Sequence, residues 1–167
     1  FVSHSIYGQN PPPQITTLEL NKPLEREISG TQRHSYQINL SANQYLKILL
    51  KQSGIDVGLR LYGTDGKQIA DFDTEFKSDG VETVEFVAIN EGNYRFDIIN
   101  KYPLLPAGKY EIKLNELRSA DEKDKLRQSA RSLHADSIRF FTAGKYSEAR
   151  QTIEKAIEIN QKELGLE

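Results

Sequence analysis

The sequence predicts a mainly β protein with C-terminal helices: a two-sheet antiparallel β-sandwich followed by a helical hairpin. The first observation is the stretch Tyr45–Lys67, which contains two runs of strand length. Within each run every second residue is apolar, and the turn sequence Asp65-Gly66 closes the second run. The second is that this pattern recurs as far as about Leu117. The third is that apolar residues beyond Leu117 follow helical spacing instead.

Length and composition exclude several classes of protein. A chain of 167 residues fits one ordinary domain, or a sandwich with an appendage. The net charge of −2 provides no field that would attract nucleic acid. No apolar run approaches the roughly 18 to 20 residues that a transmembrane segment needs. The chain has no cysteine, which excludes disulfides, thiolate metal sites and cysteine nucleophiles.

The first 15 residues predict an extended leader rather than part of the folded domain. Gln9–Gln14 contains three successive prolines, which favour polyproline geometry. Phe1–Gly8 fits the end of a signal peptide, and we therefore expect an exported protein, periplasmic or extracellular, rather than a cytoplasmic one. The absence of methionine indicates a processed or trimmed product.

Residues 16–117 form the predicted sandwich. Its strands are Thr17–Leu20, Leu24–Ser29, Ser35–Leu40, Tyr45–Lys51, Asp56–Tyr62, Lys67–Phe72, Glu82–Ile89, Asn93–Asn100 and Lys109–Leu114. Glycine-containing turns separate many of them. Alternation assigns four further inward-facing sets: Tyr36, Ile38 and Leu40; Val84, Phe86 and Ala88; Tyr94, Phe96 and Ile98; and Tyr110, Ile112 and Leu114.

Short strands in this order favour two sheets packed face to face in a jelly-roll-like arrangement. A closed barrel is the alternative. A parallel sheet is not expected, because no helical crossovers lie between the strands.

Residues 118–167 form the predicted helical hairpin. Ser119 is placed to cap the first helix by accepting from the amide of Glu122. Gly144 interrupts the helical pattern, so the turn is expected at Gly144-Lys145. Ala149, Ile153, Ala156 and Ile157 then recur at helical spacing.

The stretch FFTAGKYSEARQTIEKAIEIN resembles a tetratricopeptide repeat, a helix pair of 34 residues. Gly144, Tyr146, Ala149 and Ala156 match the most specific positions of that family, whereas Asp136 and Gln161 depart from its pattern. The resemblance implies a surface that binds a protein partner or a second copy of the chain, since a single repeat is stabilised by stacking on a neighbour. The candidate partner-binding residues are Phe140, Tyr146, Ile153, Ile157 and Leu164.

The strand-rich part resembles the bacterial pre-peptidase C-terminal domain, a β-sandwich of exported proteins. The resemblance rests on the order of short motifs: HSY with INL, ANQY, IDV with LRLY and DG, EGNY, and AGKY. Such a sandwich followed by tetratricopeptide helices is similar to the N-terminal end of bacterial proteins that carry a caspase-like CHAT domain. The resemblance implies that this chain is a fragment and that any catalytic residues lie downstream.

No catalytic constellation is visible in the sequence. His4, His34 and His134 have no histidine or cysteine partner at metal-ligand spacing. There is no nucleophile elbow and no phosphate-binding loop. We therefore predict a protein that is not an enzyme and uses no cofactor.

Two features keep a ligand-binding role open. Asp71, Asp73, Glu75 and Asp79 could offer carboxylate oxygens to Ca²⁺, although Phe76 stands where an EF-hand loop needs glycine. Tyr62 and Tyr102 could form a carbohydrate platform. A solvated acidic loop and tyrosines that fill the core explain the same residues.

The function that these observations favour is a non-catalytic interaction or adaptor module of a larger bacterial repeat protein. The alternative is a ligand-binding sandwich of an exported protein, specific for Ca²⁺ or carbohydrate. An independent hydrolase is the third possibility.

Overall fold

The structure is a computed structural model and describes residues 14–73, 78–163 and 165. In chain order the strands are β1 (Ile15–Thr17), β2 (Leu24–Ile28), β3 (Arg33–Leu40), β4 (Gln44–Ser53), β5 (Val57–Tyr62), β6 (Gln68–Phe72), β7 (Asp79–Val87), β8 (Gly92–Asn100) and β9 (Gly108–Ser119). The helices are α1 (Glu122–Thr142) and α2 (Tyr146–Glu158), and a π-helical turn (Ile159–Glu163) follows α2.

The strands form two sheets that pack on one another. The five-stranded sheet has the order β1-β3-β8-β5-β6, and the four-stranded sheet has the order β2-β9-β4-β7. The predicted mainly β architecture with C-terminal helices is confirmed. The expectation that all strand pairs are antiparallel is wrong for β1, which runs parallel to β3 with Ile15 opposite Ser35. No tight hairpin joins these two strands, because β2 between them belongs to the other sheet, so their relative direction is not constrained.

The core lies between the two sheets and contains the side chains that alternation assigns to the interior. Leu46, Ile48 and Leu50 of β4 face Val57, Leu59 and Leu61 of β5 across one apolar cluster. The four other predicted inward sets, on β3, β7 with the adjoining Ala88, β8 and β9, are buried as well. Period-two alternation therefore identified the interior of the sandwich correctly.

The first helix begins later than the sequence predicts. Ser119 is still part of β9, where it pairs with Gln44, so it is not free to cap a helix. The cap is Asp121, whose carboxylate accepts from the amide of Asp124, while the Asp124 carboxylate accepts from the amide of Asp121. This reciprocal arrangement satisfies two amides that would otherwise lack partners.

The two helices are joined where the sequence predicts. Gly144 has φ of +75°, a conformation that favours glycine, and α2 begins two residues later. The helices approach through small side chains, since Ala130 and Ser137 of α1 and Ala149 and Ala156 of α2 are buried. The C-terminal part is therefore a packed helical pair.

Candidate functional site

A groove runs between the two helices on one side of the pair. We call it the interhelical groove, and its volume is about 350 Å³. It is lined by Arg127, Ala130, Arg131 and His134 of α1 and by Ile153, Ala156, Ile157 and Asn160 of α2. Each set follows the i, i+3, i+4, i+7 spacing that places residues on one helical face. The groove is thus built from two parallel stripes, each about two turns long.

Large apolar side chains continue the groove toward the turn between the helices. Ile138 lies one turn beyond His134 on α1, and the ring of Phe141 packs edge-on against Tyr146 with centroids 5.4 Å apart. Ile138, Phe141, Tyr146 and Ile157 are all substantially exposed. An exposed apolar surface of this extent is a common sign of an interaction site.

The two walls of the groove differ in charge. Arg127, Arg131 and His134 lie on the α1 wall. On α2, Glu154 and Glu158 are exposed and lie beside Ile157, where they pair with Arg150 and Lys162. The α1 wall is therefore basic, with Arg131 also paired with the Glu85 carboxylate of β7, and it faces an apolar wall that is flanked by carboxylates.

The predicted partner-binding residues are distributed over this region unevenly. Ile153 and Ile157 line the interhelical groove, and Tyr146 lies at its end near the turn. Phe140 is partly buried outside the groove, with Lys145 and Arg139 near its ring. Leu164 lies outside the described residues. The assignment of these residues to partner binding stays a prediction.

The helical pair is attached to the sandwich through strand β7, an edge of the four-stranded sheet. The Gln128 side chain donates from Nε2 to the carbonyl oxygen of Val87 at 2.8 Å, and its Oε1 accepts from the Val87 amide at 2.7 Å. Nη2 of Arg131 donates to the carbonyl of Glu85 at 3.0 Å. These side chains satisfy edge groups that would otherwise be open to another strand.

A second set of contacts connects β9 with the same edge. The Arg118 guanidinium stacks 4.0 Å from the centre of the Tyr45 ring, and the Tyr45 hydroxyl donates to the Glu85 carboxylate at 3.0 Å. Burial, followed by this hydrogen bond, raises the pKa of Tyr45. The phenol therefore remains a neutral hydrogen-bond donor to Glu85.

The acidic residues proposed for Ca²⁺ have separate protein partners. Asp71 lies 3.5 Å from Nε of Arg60, and Asp73 pairs with Lys101. Asp79 accepts from the amide of Gly54 at 3.2 Å. Glu75 lies outside the described residues. In the described ranges, no three carboxylate or imidazole groups are arranged to hold a metal ion, and the calcium site stays a prediction.

Lys101 supplies a positive charge next to these carboxylates. Its hydrogen bond with Asp73 raises the pKa of the Lys101 ammonium. Asp56, which is buried nearby, has a raised pKa because of that burial and then because of the Asp73 charge. An ammonium thus offsets part of the local negative charge.

The two candidate carbohydrate-stacking tyrosines have different surroundings. Tyr62 lies under the guanidinium of Arg95, which is 4.0 Å from its ring centre. Tyr102 is exposed and borders a pocket of about 130 Å³ together with Asp56, Asn100 and Leu105. Neither tyrosine forms a stacked aromatic pair with another ring among the described residues.

The two histidines in the described part of the chain, His34 and His134, lie in different environments. Nδ1 of His34 lies 2.6 Å from the Tyr110 hydroxyl, which is 2.7 Å from the Tyr36 hydroxyl. Burial lowers the pKa of His34. His134 lies in the interhelical groove, and His4 is outside the described residues.

Comparison with known proteins supports the sandwich fold. No family model and no curated protein matches the chain. The pre-peptidase C-terminal domain of a collagenase from Bacillus anthracis matches 64% of this chain and 100% of that domain, with a TM-score of 0.51 at 18% identity. The sandwich has the fold of a pre-peptidase C-terminal domain.

Two periplasmic inhibitors of g-type lysozyme give weaker matches. The match to the inhibitor from Aeromonas hydrophila covers 60% of this chain and 96% of the inhibitor, with a TM-score of 0.47 at 13% identity. The match to the inhibitor from Salmonella Typhimurium covers 63% of this chain and 99% of the inhibitor, with a TM-score of 0.46 at 15% identity. The tetratricopeptide assignment of the C-terminal helices and the expected downstream CHAT domain stay predictions.

Sequence reasoning missed several residues of the helical region. Ile138 and Phe141 were not among the predicted partner-binding residues, although their i, i+3 spacing places them on one helical face. Gln128 and Arg131 contact β7, and no local sequence pattern indicates such a contact.

The described helices include none that is long and apolar enough to cross a membrane.

Proposed function

We propose that this chain is a non-catalytic interaction module, in which the sandwich is a rigid base and the helical pair binds another helix in the interhelical groove. The observation that carries the proposal is the groove itself. It has an apolar wall on α2 and exposed apolar residues at its end, and it is about two helical turns long. Peptide helices commonly bind in grooves of this kind through residues spaced i, i+3, i+4 and i+7.

The charges around the groove favour a particular kind of helix. Arg127 and Arg131 form the basic wall, so a helix with carboxylates beside its apolar stripe would be complementary. The chain itself contains such a helix, since Glu154 and Glu158 flank Ile157 on α2. We propose the helical pair of a second copy as the occupant, which gives a four-helix arrangement with the two grooves facing each other.

This assignment agrees with the predicted tetratricopeptide character of the helices, in which one repeat packs on the next. The attachment of α1 to β7 includes Arg131 of the groove, which contacts Glu85, so the groove borders the edge of the four-stranded sheet. A ligand-binding role of the acidic loop is the alternative, and it rests on Glu75 together with Asp71, Asp73 and Asp79.

The experiment is the solution mass of the full chain over a range of concentrations, measured by light scattering. We expect a dimer that becomes monomeric on Ile157→Glu, because this substitution places a charge in the groove. Ile69→Glu is the matched control, since Ile69 of β6 is 48% exposed and Ile157 is 46% exposed. A chain that stays monomeric at every concentration, or a dimer that Ile157→Glu leaves intact, would contradict binding of a second copy in the groove.

A further inference from the structure

Three arginines surround a buried carboxylate on the outer surface of the five-stranded sheet. Phe96 and Ile98 of β8 face the core, so Asp97 between them faces outward. Its side chain nevertheless has no exposed surface. Arg33, Arg60 and Arg95 are its neighbours on β3, β5 and β8, and we call them the arginine cluster.

The carboxylate of Asp97 fixes the position of the cluster. Its Oδ1 accepts from the Ser35 hydroxyl at 2.8 Å and lies 3.1 Å from Nε of Arg95. Its Oδ2 lies 3.7 Å from Nη1 of Arg33. Arg60 is directly opposite Asp97 on β5, and its Nε is 3.5 Å from the Asp71 carboxylate.

The hydrogen-bonding capacity of the cluster is largely unused. The side chains of Arg33, Arg60 and Arg95 are 51%, 42% and 38% exposed. Within the described part of the chain, their Nη atoms donate no hydrogen bond. Oδ2 of Asp97 and the Nε atoms of Arg60 and Arg95 are buried without a hydrogen-bond partner. These buried atoms make ion contacts that lack hydrogen-bond geometry, so the exposed Nη atoms of the three arginines are the donors that remain available to a ligand.

The charge of the cluster favours an anionic ligand. Three guanidinium groups oppose the two carboxylates of Asp71 and Asp97, which leaves one net positive charge in a protein whose overall charge is −2. Guanidinium groups bind carboxylates through paired hydrogen bonds in one plane. Arg33 and Arg60 lie two strands apart, roughly 10 Å, so they can contact successive anionic groups of an extended ligand.

Part of the surface beside the cluster is polar and uncharged. Nδ2 of Asn39 donates to Asn93 at 3.1 Å, and Nε2 of Gln37 donates to Thr17 at 3.2 Å. The Tyr62 ring lies under Arg95. Amide, hydroxyl and phenol groups of this kind are suited to hydroxyl-rich ligands.

We propose that this face binds an acidic polysaccharide, with its carboxylates on the arginine cluster and its hydroxyl groups on the neighbouring amides. A peptide that adds a strand to the sheet fits less well, because that mode of recognition needs a free strand edge. Strands β3, β8 and β5 are each paired on both sides. The site is independent of the interhelical groove.

The test is a calorimetric titration of the full chain with oligogalacturonate. We expect saturable binding that weakens with added salt. Binding should fall at least about tenfold in the Arg33→Gln/Arg60→Gln double variant, because each arginine contributes charge-assisted hydrogen bonds. This variant retains Ser35 and Arg95 as partners of Asp97. Arg150→Gln on α2 is the control and should leave binding unchanged.

Three outcomes would overturn the proposal. They are an absence of binding, an equal loss of binding in the Arg150→Gln control, and binding of poly-glutamate that is as tight as that of oligogalacturonate at the same carboxylate concentration. The last outcome would indicate a surface for acidic peptides instead. If the thermal midpoint shows that the double variant does not fold, the single variant Arg60→Gln decides, since Arg60 makes no hydrogen bond with Asp97.

Discussion

Arg118 and Asp124 form a bidentate ion pair that joins the last strand of the sandwich to the first turn of α1. Nη1 of Arg118 lies 2.5 Å from Oδ2 of Asp124, and Nη2 lies 3.1 Å from Oδ1. The same Asp124 carboxylate accepts from the amide of Asp121 at the helix start. One buried carboxylate therefore determines both where α1 begins and how it is oriented on the sheet.

The first prediction concerns the stability that this pair provides. Asp124→Asn keeps the shape of the side chain but removes its charge, and it should lower the free energy of unfolding by about 2 kcal/mol. The measurement is urea denaturation near neutral pH. Glu154→Gln is the control, because Glu154 and Arg150 form an exposed pair that should contribute less than about 0.5 kcal/mol. Equal effects of the two substitutions would contradict this role of Asp124.

The second prediction is the pH dependence of the same pair. The hydrogen bond from Arg118 lowers the pKa of Asp124 below its ordinary value of 3.8. Its stabilisation is therefore present above pH 3.8 and is lost as the pH falls through the lower folded-state pKa, because the unfolded chain binds the proton first. Below pH 3.8 the unfolding free energy of the native chain should fall more steeply than that of Asp124→Asn. Parallel curves would show that the pair does not contribute.

The third prediction concerns the contact between α1 and the edge strand. Gln128→Glu preserves acceptance from the Val87 amide but replaces the donor to the Val87 carbonyl with a carboxylate oxygen. We expect a loss of about 1 to 3 kcal/mol, because a buried acceptor then faces a negative charge. Gln151→Glu on the exposed side of α2 should change stability by less than about 0.5 kcal/mol.

Hydrogen exchange gives a local measurement of the same contact. The Val87 amide should be protected in the native chain and should exchange faster in Gln128→Ala, which removes its acceptor. Unchanged protection of this amide in the variant would show that α1 does not cover the edge of β7.

The fourth prediction concerns His34. Because burial lowers its folded-state pKa, the unfolded chain takes up the proton first as the pH falls below 6.5. The native chain should lose stability from pH 6.5 downward, and His34→Gln should reduce this dependence. Denaturation curves between pH 7 and pH 5 measure the difference. An identical pH dependence in the two chains would contradict a lowered pKa for His34.

Much of the sandwich could be predicted from the sequence, because burial in a strand and the position of a turn are visible in patterns of neighbouring residues. The alternation of Leu46, Ile48 and Leu50, for example, reports burial directly, and Gly144 marks the turn between the helices. The predicted start of α1 is wrong because Ser119 is a residue type that often caps helices, but here it continues the pairing of β9 with β4. Local composition cannot reveal a strand partner that is distant in sequence.

The same limitation applies to the candidate sites. Gln128 contacts Val87, which is 41 residues away, and Ser35 contacts Asp97, which is 62 residues away. No periodicity connects such positions. The apolar stripe of α2 is local, and Ile153 and Ile157 could therefore be recognised in advance.

The most direct test of the proposed interaction module is the binding of a fluorescent peptide with the sequence of residues 146–163 to the full chain. Fluorescence anisotropy should show saturable binding that disappears in Ile153→Glu/Ile157→Glu and remains in Ile69→Glu. Added salt should weaken binding, because the basic wall of the groove faces the carboxylates of the peptide. No binding, or binding that the groove substitutions leave unchanged, would show that the interhelical groove does not accept a helix.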